Sequence, residues 1–256
     1  MTDTQLQQYF ERIGYTPKEG ESEVEILQNI HRGHAFHIPF ENIDVYHKKT
    51  LSLTEEDLFD KMVTRRRGGY CFEMNGLMYF ALTKLGFRVH SVLARIGGKE
   101  RGLGSLLHRM NIVFLSDGSK WIADVGYGGE GLIEAIPMTG EPFETFGKTY
   151  RVVENGAGGM KYSVQVLIDG EYIDQFAFHE SPNTQQDFEV CSFYTNCYPE
   201  SVFRKFPMCT LPTPTGRISI SNDRLRITEN GEITDRFFTP EELPAILREY
   251  FGIVAE

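Results

Sequence analysis

The chain has 256 residues, of which 41% are hydrophobic and 24% are charged; its net charge is −10 and its pI about 5.3. This composition is that of a globular protein, with one large domain or two to three small ones sharing a core. The acidic balance argues against nucleic acid or an anionic membrane as the main partner. No apolar stretch reaches the ~18 residues of a transmembrane helix. Residues 1–8 lack the features of a signal peptide, so we expect a cytoplasmic protein.

The chain contains four cysteines, which are too few for this length to form a disulfide framework. They are Cys71, Cys191, Cys197 and Cys209. Cys191 and Cys197 lack Cys-x-x-Cys spacing and have no histidine nearby, so we expect no metal site.

The first third of the sequence predicts helices. Ser22 begins a capping box that opens a helix, and Pro39 ends it. A second helix is predicted to start near Thr54, and a third over residues 71–86, where Gly86 is a suitable C-terminal residue.

After residue 86 the hydrophobic pattern changes to that of short strands separated by Gly and Asp turns. Five strands are predicted, at residues 87–93, 110–115, 120–125, 162–168 and 172–178. They indicate a small barrel or a curled antiparallel sheet. The last segment is mixed, with a hairpin formed by residues 217–220 and 224–228 and a final helix capped by Thr239. We predict three regions, at residues 1–86, 87–190 and 191–256.

Cys71 directly follows the basic, glycine-containing run Arg66-Arg67-Gly68-Gly69-Tyr70 and opens the third predicted helix. A thiol at a helix N-terminus meets unpaired backbone N–H groups and the positive end of the helix dipole. Both favour thiolate over thiol, and thiolate is the nucleophilic form. Most free cysteines are simply buried core residues, so this position alone does not establish catalysis.

A nucleophilic cysteine needs a base, and the base needs a group that orients it. His108 opens an apolar strand and shares its parity with Met110 and Ile112, so it is predicted to point into the core. Asp124 ends another apolar strand, where an unpaired carboxylate is costly. A Cys71–His108–Asp124 triad explains both the core-facing histidine and the carboxylate at the strand end. Of the other histidines, the three on the first predicted helix can form a polar face: His31, His34 and His37.

The turn between the strands of His108 and Asp124 tests this triad. A two-residue turn at Asp117-Gly118 would pair Asn111 with Asp124 and put Asp124 on the opposite face from His108. A five-residue loop centred on Asp117 pairs Met110 with Asp124 and brings His108 diagonally into side-chain reach. The triad therefore predicts the wider loop or a bulge.

Four motifs, in order and at compatible spacing, resemble those of the arylamine N-acetyltransferases. They are Ile38-Pro39-Phe40-Glu41-Asn42, the Arg66–Cys71 run, His108, and Asp124-Val125-Gly126-Tyr127-Gly128-Gly129. The resemblance covers residues 31–131 well and the C-terminal third weakly.

The resemblance implies an α+β multidomain fold with an N-terminal helical bundle, a central antiparallel β-barrel and a C-terminal α/β lid around a cysteine-protease or transglutaminase-like core. It implies that Cys71 carries the acetyl group, that His108 is the base and that Asp124 orients it. Glu41 and Arg66 fall where the family has a structural ion pair.

The implied reaction is a two-step transfer of acetyl from acetyl-CoA to an arylamine, arylhydrazine or arylhydroxylamine. Gly126, Gly128 and Gly129 are expected to contact CoA, although this glycine run lacks the following helix of a Rossmann site. Phe40, Tyr127 and Phe193 are expected to line the acceptor pocket. We expect a monomer or weak homodimer.

Three alternatives stay open. The same triad serves hydrolysis or transamidation in transglutaminase-like or papain-like enzymes, with water or lysine as acceptor. It also serves an amide synthase that closes a ring on a carrier-bound acyl chain. A ligand-binding domain that lost the chemistry is disfavoured by the intact Cys71, His108 and Asp124.

Overall fold

A computed structural model describes residues 1–99 and 102–254 of the chain. Its helices are α1 (Asp3–Ile13), α2 (Glu23–His37), α3 (Ile43–Tyr46), α4 (Glu55–Phe59), α5 (Cys71–Lys84), α6 (Gln185–Cys197), α7 (Val202–Lys205) and α8 (Leu243–Phe251). A π-helical turn, Asp60–Thr64, continues α4. No helix in these residues is long and apolar enough to cross a membrane.

Local capping explains where the helices begin. Ser22 and Glu25 form the predicted capping box of α2, and Thr239 with Glu242 forms the one before α8. A capping box that the sequence analysis did not include, between Thr2 and Gln5, starts α1.

An eight-stranded antiparallel sheet forms the central barrel. In chain order its strands are β2 (Arg88–Ile96), β3 (Leu106–Phe114), β4 (Lys120–Ala123), β5 (Ile136–Pro137), β6 (Phe143–Thr145), β7 (Lys148–Glu154), β8 (Tyr162–Ile168) and β9 (Glu171–Phe178). Their order in the sheet is β5-β4-β3-β2-β9-β8-β7-β6, and β5 also lies beside β7, so the sheet curls almost into a closed barrel. The predicted curled sheet is confirmed.

A second, five-stranded sheet joins the N-terminal helical region to the C-terminal part of the chain. The strand β1 (Phe40–Glu41) pairs with the meander β10 (Met208–Thr213), β11 (Gly216–Ser221), β12 (Arg224–Glu229) and β13 (Glu232–Phe237). The predicted hairpin of residues 217–228 lies in this meander. The predicted division at residue 190 falls inside α6, so a helix runs across that boundary.

Buried apolar side chains form three clusters in the described residues. One lies among the N-terminal helices, one lies inside the barrel, and one lies under the second sheet against α8. Helix α5 belongs to the first cluster and is buried throughout residues 71–78. Its first turn is therefore held firmly against its neighbours.

The hairpin between β3 and β4 has the register that the triad requires. Phe114 pairs with Lys120 and Asn111 pairs with Ala123, so residues 115–119 form the wide loop. The Leu115 N–H donates to the Ser119 carbonyl, and Gly118 has a φ of +86°. Within the five-residue loop, the hydrogen bond between residues 115 and 119 therefore closes a turn of three residues, 116–118, whose last residue is left-handed.

Gly118→Ala is expected to lower the free energy of unfolding by about 1 kcal/mol, because an L-residue at this φ is strained. A Cβ at residue 118 would meet no atom within 4 Å, so the cost is that of the backbone alone. A Cβ at residue 98 would likewise meet no atom within 4 Å, but Gly98 has no positive φ, which makes Gly98→Ala the matched control. Urea unfolding compares the two, and an equal stability of both variants would contradict the assigned turn.

Candidate active site

Cys71 is the first residue of α5 and is only 5% exposed. The N-terminus of this helix is well defined, because the Glu73 carboxylate accepts the Tyr70 N–H at 3.1 Å. The Cys71 Sγ lies 3.9 Å from the Leu107 carbonyl oxygen on β3. The thiol thus sits between the N-terminus of a buried helix and the edge of the barrel.

His108 directly follows Leu107 on β3, and the Cys71 thiol is near enough to be among the groups that raise the pKa of His108. Its Nε2 donates to Asp124 Oδ2 at 2.7 Å, which leaves Nδ1 for the sulfur. The imidazole stacks on Phe176 of β9, with 4.8 Å between ring centroids and 8° between the planes. Burial lowers the pKa of His108, but the charge of Asp124 and the hydrogen bonds to Asp124 and Cys71 outweigh burial and raise the pKa to about 10.

Asp124 is 1% exposed and follows directly on β4. Burial raises its pKa, but the charge and hydrogen bond of His108 lower it more, and bonds from Asn75 and Gly126 add to this effect. The net pKa of Asp124 is below the ordinary value. At neutral pH the pair is therefore an imidazolium and a carboxylate.

Asn75 completes the carboxylate's surroundings, and the sequence analysis missed it. Its Nδ2 donates to Asp124 Oδ1 at 2.8 Å and to the Arg109 carbonyl at 2.6 Å, and its Oδ1 accepts the Val125 N–H at 3.1 Å. Asn75 lies one helical turn after Cys71 and therefore on the same face of α5, so a polar residue at that spacing was the available signal.

The expected ion pair near the site exists, but Arg67 forms it and not Arg66. Arg67 Nη2 lies 2.7 Å from Glu41 Oε1 and 3.2 Å from Asp44, and Lys61 lies 2.8 Å from Asp44. Arg66 adopts a left-handed φ of +53° and is exposed, so the turn directs only the second arginine inward.

The predicted polar face of histidines on α2 is wrong for two of its members. His31 and His34 are fully buried, while His37 is exposed. His34 Nδ1 hydrogen-bonds the Tyr9 hydroxyl at 2.9 Å. His31 Nε2 accepts the backbone N–H of Asp124 at 3.1 Å. Helix α2 therefore packs two of its three histidines inward.

The glycine-rich run after Asp124 packs closely on the site. A Cβ on Gly126 would lie 2.6 Å from the Cys71 Cα and 2.5 Å from Asn75, and a Cβ on Gly128 would collide with the Phe40 ring. Tyr127 presents its ring edge-on to His108, with 6.2 Å between centroids. Only glycine fits at these two positions without displacing Cys71 or the Phe40 ring.

Of the three predicted acceptor-site aromatics, two lie together. Phe40, Tyr127 and Asp124 line the same void of about 20 Å³. Phe193 lies elsewhere: it is 68% exposed and lines a groove with Leu51 and Cys197 that includes none of the predicted catalytic residues.

A cleft of about 880 Å³ separates the barrel from the second sheet. Gly128 and Gly129 line it, as do the cationic side chains of Lys148, Arg217 and Arg226. The cleft shares Gly131, Ile133, Thr210, Pro212 and Arg217 with the void beside Asp124. A long ligand in the cleft can therefore reach toward the site.

A cysteine beside a histidine that is paired with a carboxylate is an arrangement suited to nucleophilic acyl transfer, because the histidine can carry the proton and the carboxylate orients it. No group of three or more potential metal ligands occurs within residues 1–99 and 102–254.

Comparison with known proteins agrees with this geometry. A family model described as N-acetyltransferase matches residues 23–256. Over 97% of its length, the chain is 32% identical to the arylamine N-acetyltransferase / N-hydroxyarylamine O-acetyltransferase of Salmonella typhimurium, and the match covers 88% of that protein. It is 31% identical, with the same coverage, to the arylamine N-acetyltransferase of Escherichia coli.

Solved structures agree as well. An arylamine N-acetyltransferase from Salmonella typhimurium has a TM-score of 0.90 at 30% identity, over 100% of this chain and 93% of the other. One from Bacillus cereus, described as having a unique Cys-His-Glu catalytic triad, has a TM-score of 0.91 at 25% identity over 100% of both chains. The resemblance seen in the sequence motifs and the α+β multidomain fold it implied are confirmed. The chain belongs to the arylamine N-acetyltransferase family.

Proposed function

We propose that this acetyltransferase moves an acetyl group from acetyl-CoA to the nitrogen of an arylamine, arylhydrazine or arylhydroxylamine in two steps, through an acetyl-Cys71 intermediate. The observation that carries the proposal is the placement of Cys71 at the N-terminus of α5, against the strand that carries the paired His108 and Asp124. It supplies a thiolate, a proton carrier and backbone donors in one place.

In the first step, the Cys71 thiolate attacks the thioester carbonyl of acetyl-CoA. Cys71 is the first residue of α5, so its N–H precedes the first intrahelical hydrogen bond and is available to the developing oxyanion. The thioester bond breaks, acetyl stays on Cys71, and the departing CoA sulfur takes a proton from the His108 imidazolium. His108 is then neutral.

In the second step, the acceptor nitrogen attacks the acetyl-Cys71 carbonyl and gives a proton to neutral His108. The C–S bond breaks, the amide leaves, and the thiolate is restored beside an imidazolium. The hydrogen bond and charge of Cys71 are among the causes that raise the pKa of His108. Acetylation of the sulfur removes the charge and so lowers this pKa toward the range of a useful base.

The cleft between the barrel and the second sheet suits the phosphates of CoA. Lys148 lines it but is ion-paired with Glu130. Arg217 donates to the Thr210 hydroxyl at 3.0 Å and has no ion pair among residues 1–99 and 102–254. We propose that Arg217 binds phosphate and that Gly128 and Gly129 pass close to the donor, while Gly126 serves the packing against Cys71.

For the acceptor, Phe40 and Tyr127 are the better candidates, because they lie beside Asp124. Phe193 lies on α6 away from Asp124, so it would contact the acceptor only after a movement of α6 toward the site. All of the catalytic groups come from one chain, so a monomer or weak homodimer suffices. The four cysteines are free, which suits a reducing compartment, and we propose that the reaction takes place in the cytoplasm.

Incubation with acetyl-CoA and no acceptor is expected to add one acetyl group, mapped by mass spectrometry to Cys71. A later arylamine chase should remove it and yield the acetylated amine. Cys71→Ala should stay unmodified while it retains the wild-type circular dichroism spectrum, and Cys197→Ser is the matched control that should still be acetylated.

Two outcomes would contradict this scheme. Acetylation or turnover by folded Cys71→Ala would remove Cys71 as nucleophile. Release of free CoA and acetate by the wild type, with no transfer to any amine, would favour the hydrolytic use of the same triad.

Arg217→Gln is expected to raise the KM for acetyl-CoA roughly ten-fold, since a charged hydrogen bond to phosphate is lost. The acetylation rate at saturating acetyl-CoA should be unchanged. Arg236→Gln is the control, because Arg236 of β13 pairs with Glu242 and does not line the cleft. An unchanged KM in Arg217→Gln would place the phosphates elsewhere.

A further inference from the structure

His31 links α2 to both ends of the segment that carries Asp124. We call residues 124–133 the site loop. The His31 Nε2 bonds the Asp124 N–H at 3.1 Å, and its Nδ1 bonds the Ile133 carbonyl at 2.9 Å. The imidazole is fully buried, so both contacts are sheltered from water.

The two partners dictate the protonation state of this ring. The Asp124 N–H can only donate, so Nε2 must be an acceptor; the Ile133 carbonyl can only accept, so Nδ1 must carry a proton. Only the neutral Nδ1–H tautomer makes both bonds. Burial lowers the pKa of His31 against the opposing effects of the Ile133 bond, Asp124 and Glu134, which agrees with a neutral ring.

We propose that His31 is a positioning residue for acyl transfer: it clamps the two ends of the site loop and thereby orients the Asp124 carboxylate toward His108. The inference rests on the proposed function, because orientation of the imidazolium matters only if Cys71 reacts. His31 touches no reacting atom and acts through the aspartate.

The rest of α2 supports the same anchoring from the far end of the loop. Gln28 exchanges two hydrogen bonds with the Ala135 backbone, at 2.8 and 2.9 Å, and Arg32 pairs with Glu134. These contacts hold the exit of the loop only. His31 alone among these α2 side chains also bonds the entrance, beside the carboxylate.

The charged and titratable groups around His31 fit a neutral clamp. Asp124 and Glu134 face it from the loop side and favour its protonation, whereas His34 follows on its own helix and is itself influenced by His31 and by Arg12 of α1. Protonation of His31 would turn Nε2 into a donor facing another donor, and the bond to Asp124 would be lost.

Two variants separate the two bonds. The amide of His31→Asn can replace Nδ1 and still donate to the Ile133 carbonyl, but nothing remains to accept the Asp124 N–H. The longer side chain of His31→Gln can put its Oε1 near the Nε2 position and accept that N–H. His34→Asn is the matched control, since His34 is equally buried on α2 but bonds Tyr9.

The experiment measures the rate of Cys71 acetylation by acetyl-CoA and, separately, the rate of Cys71 alkylation by iodoacetamide at pH 6, with unfolding followed in urea. His31→Asn is expected to slow both rates roughly 10- to 100-fold, because a hydrogen bond that orients a group of the active site is lost. His31→Gln is expected to recover both to within about three-fold of wild type. His34→Asn should lose stability but keep both rates.

Equal rates in His31→Asn and wild type would overturn the proposal, as would equal slowing in His31→Asn, His31→Gln and His34→Asn, which would reveal a merely structural role. If His31→Asn does not fold, wild-type rates in His34→Asn with a 10-fold slowing in His31→Gln would overturn the assigned division of the two bonds. Failure of wild type to form acetyl-Cys71 would refute the proposed function instead, and the alkylation rates would still decide the role of His31.

Discussion

The site depends on one buried charge pair, the contact between His108 Nε2 and Asp124 Oδ2 at 2.7 Å. Both side chains are 1% exposed, so each charge would be costly without the other. The other carboxylate oxygen, Oδ1, accepts hydrogen bonds from the Asn75 amide and the Gly126 N–H. These bonds fix the carboxylate, the carboxylate fixes the imidazole, and the imidazole faces the thiol.

Much of the surrounding structure serves to maintain that pair. The wide loop at residues 115–119 sets the register that puts His108 and Asp124 on one face. The stack of His108 on Phe176 excludes water from the imidazole face. The buried cluster around Arg67 and Glu41 holds the turn that leads into Cys71, because the Glu41 N–H donates to the Gly69 carbonyl at 2.9 Å. The barrel and the helices are thus joined at the point where the thiol meets its base.

The residues that the sequence could predict are those governed by local rules. The start of α5 at Cys71 follows from local sequence, whereas the role of Cys71 needs His108, Asp124 and the family motifs as well. The turn sequence allows two registers, and the triad selects the wider loop. Asn75, Phe176 and His31 contact residues 34 to 93 positions away along the chain, which no local pattern encodes. Arg66 and Arg67 are adjacent, and only the left-handed turn at Arg66 decides which side chain enters the core. The two-residue strand at Phe40 exists because two distant segments, β10 and the Gly69 backbone, pair with it.

The most direct test of this account is the ionisation of His108, followed by ¹⁵N-histidine NMR and assigned by the signal lost in His108→Gln. The raised pKa means that His108 binds its proton more tightly in the folded protein, so the resulting stabilisation is complete below about pH 6.5 and is lost as pH rises through about 10. The account predicts that the imidazolium signal persists at pH 8 and disappears only near pH 10. A neutral imidazole at pH 8, with a titration midpoint near 6.5, would contradict it.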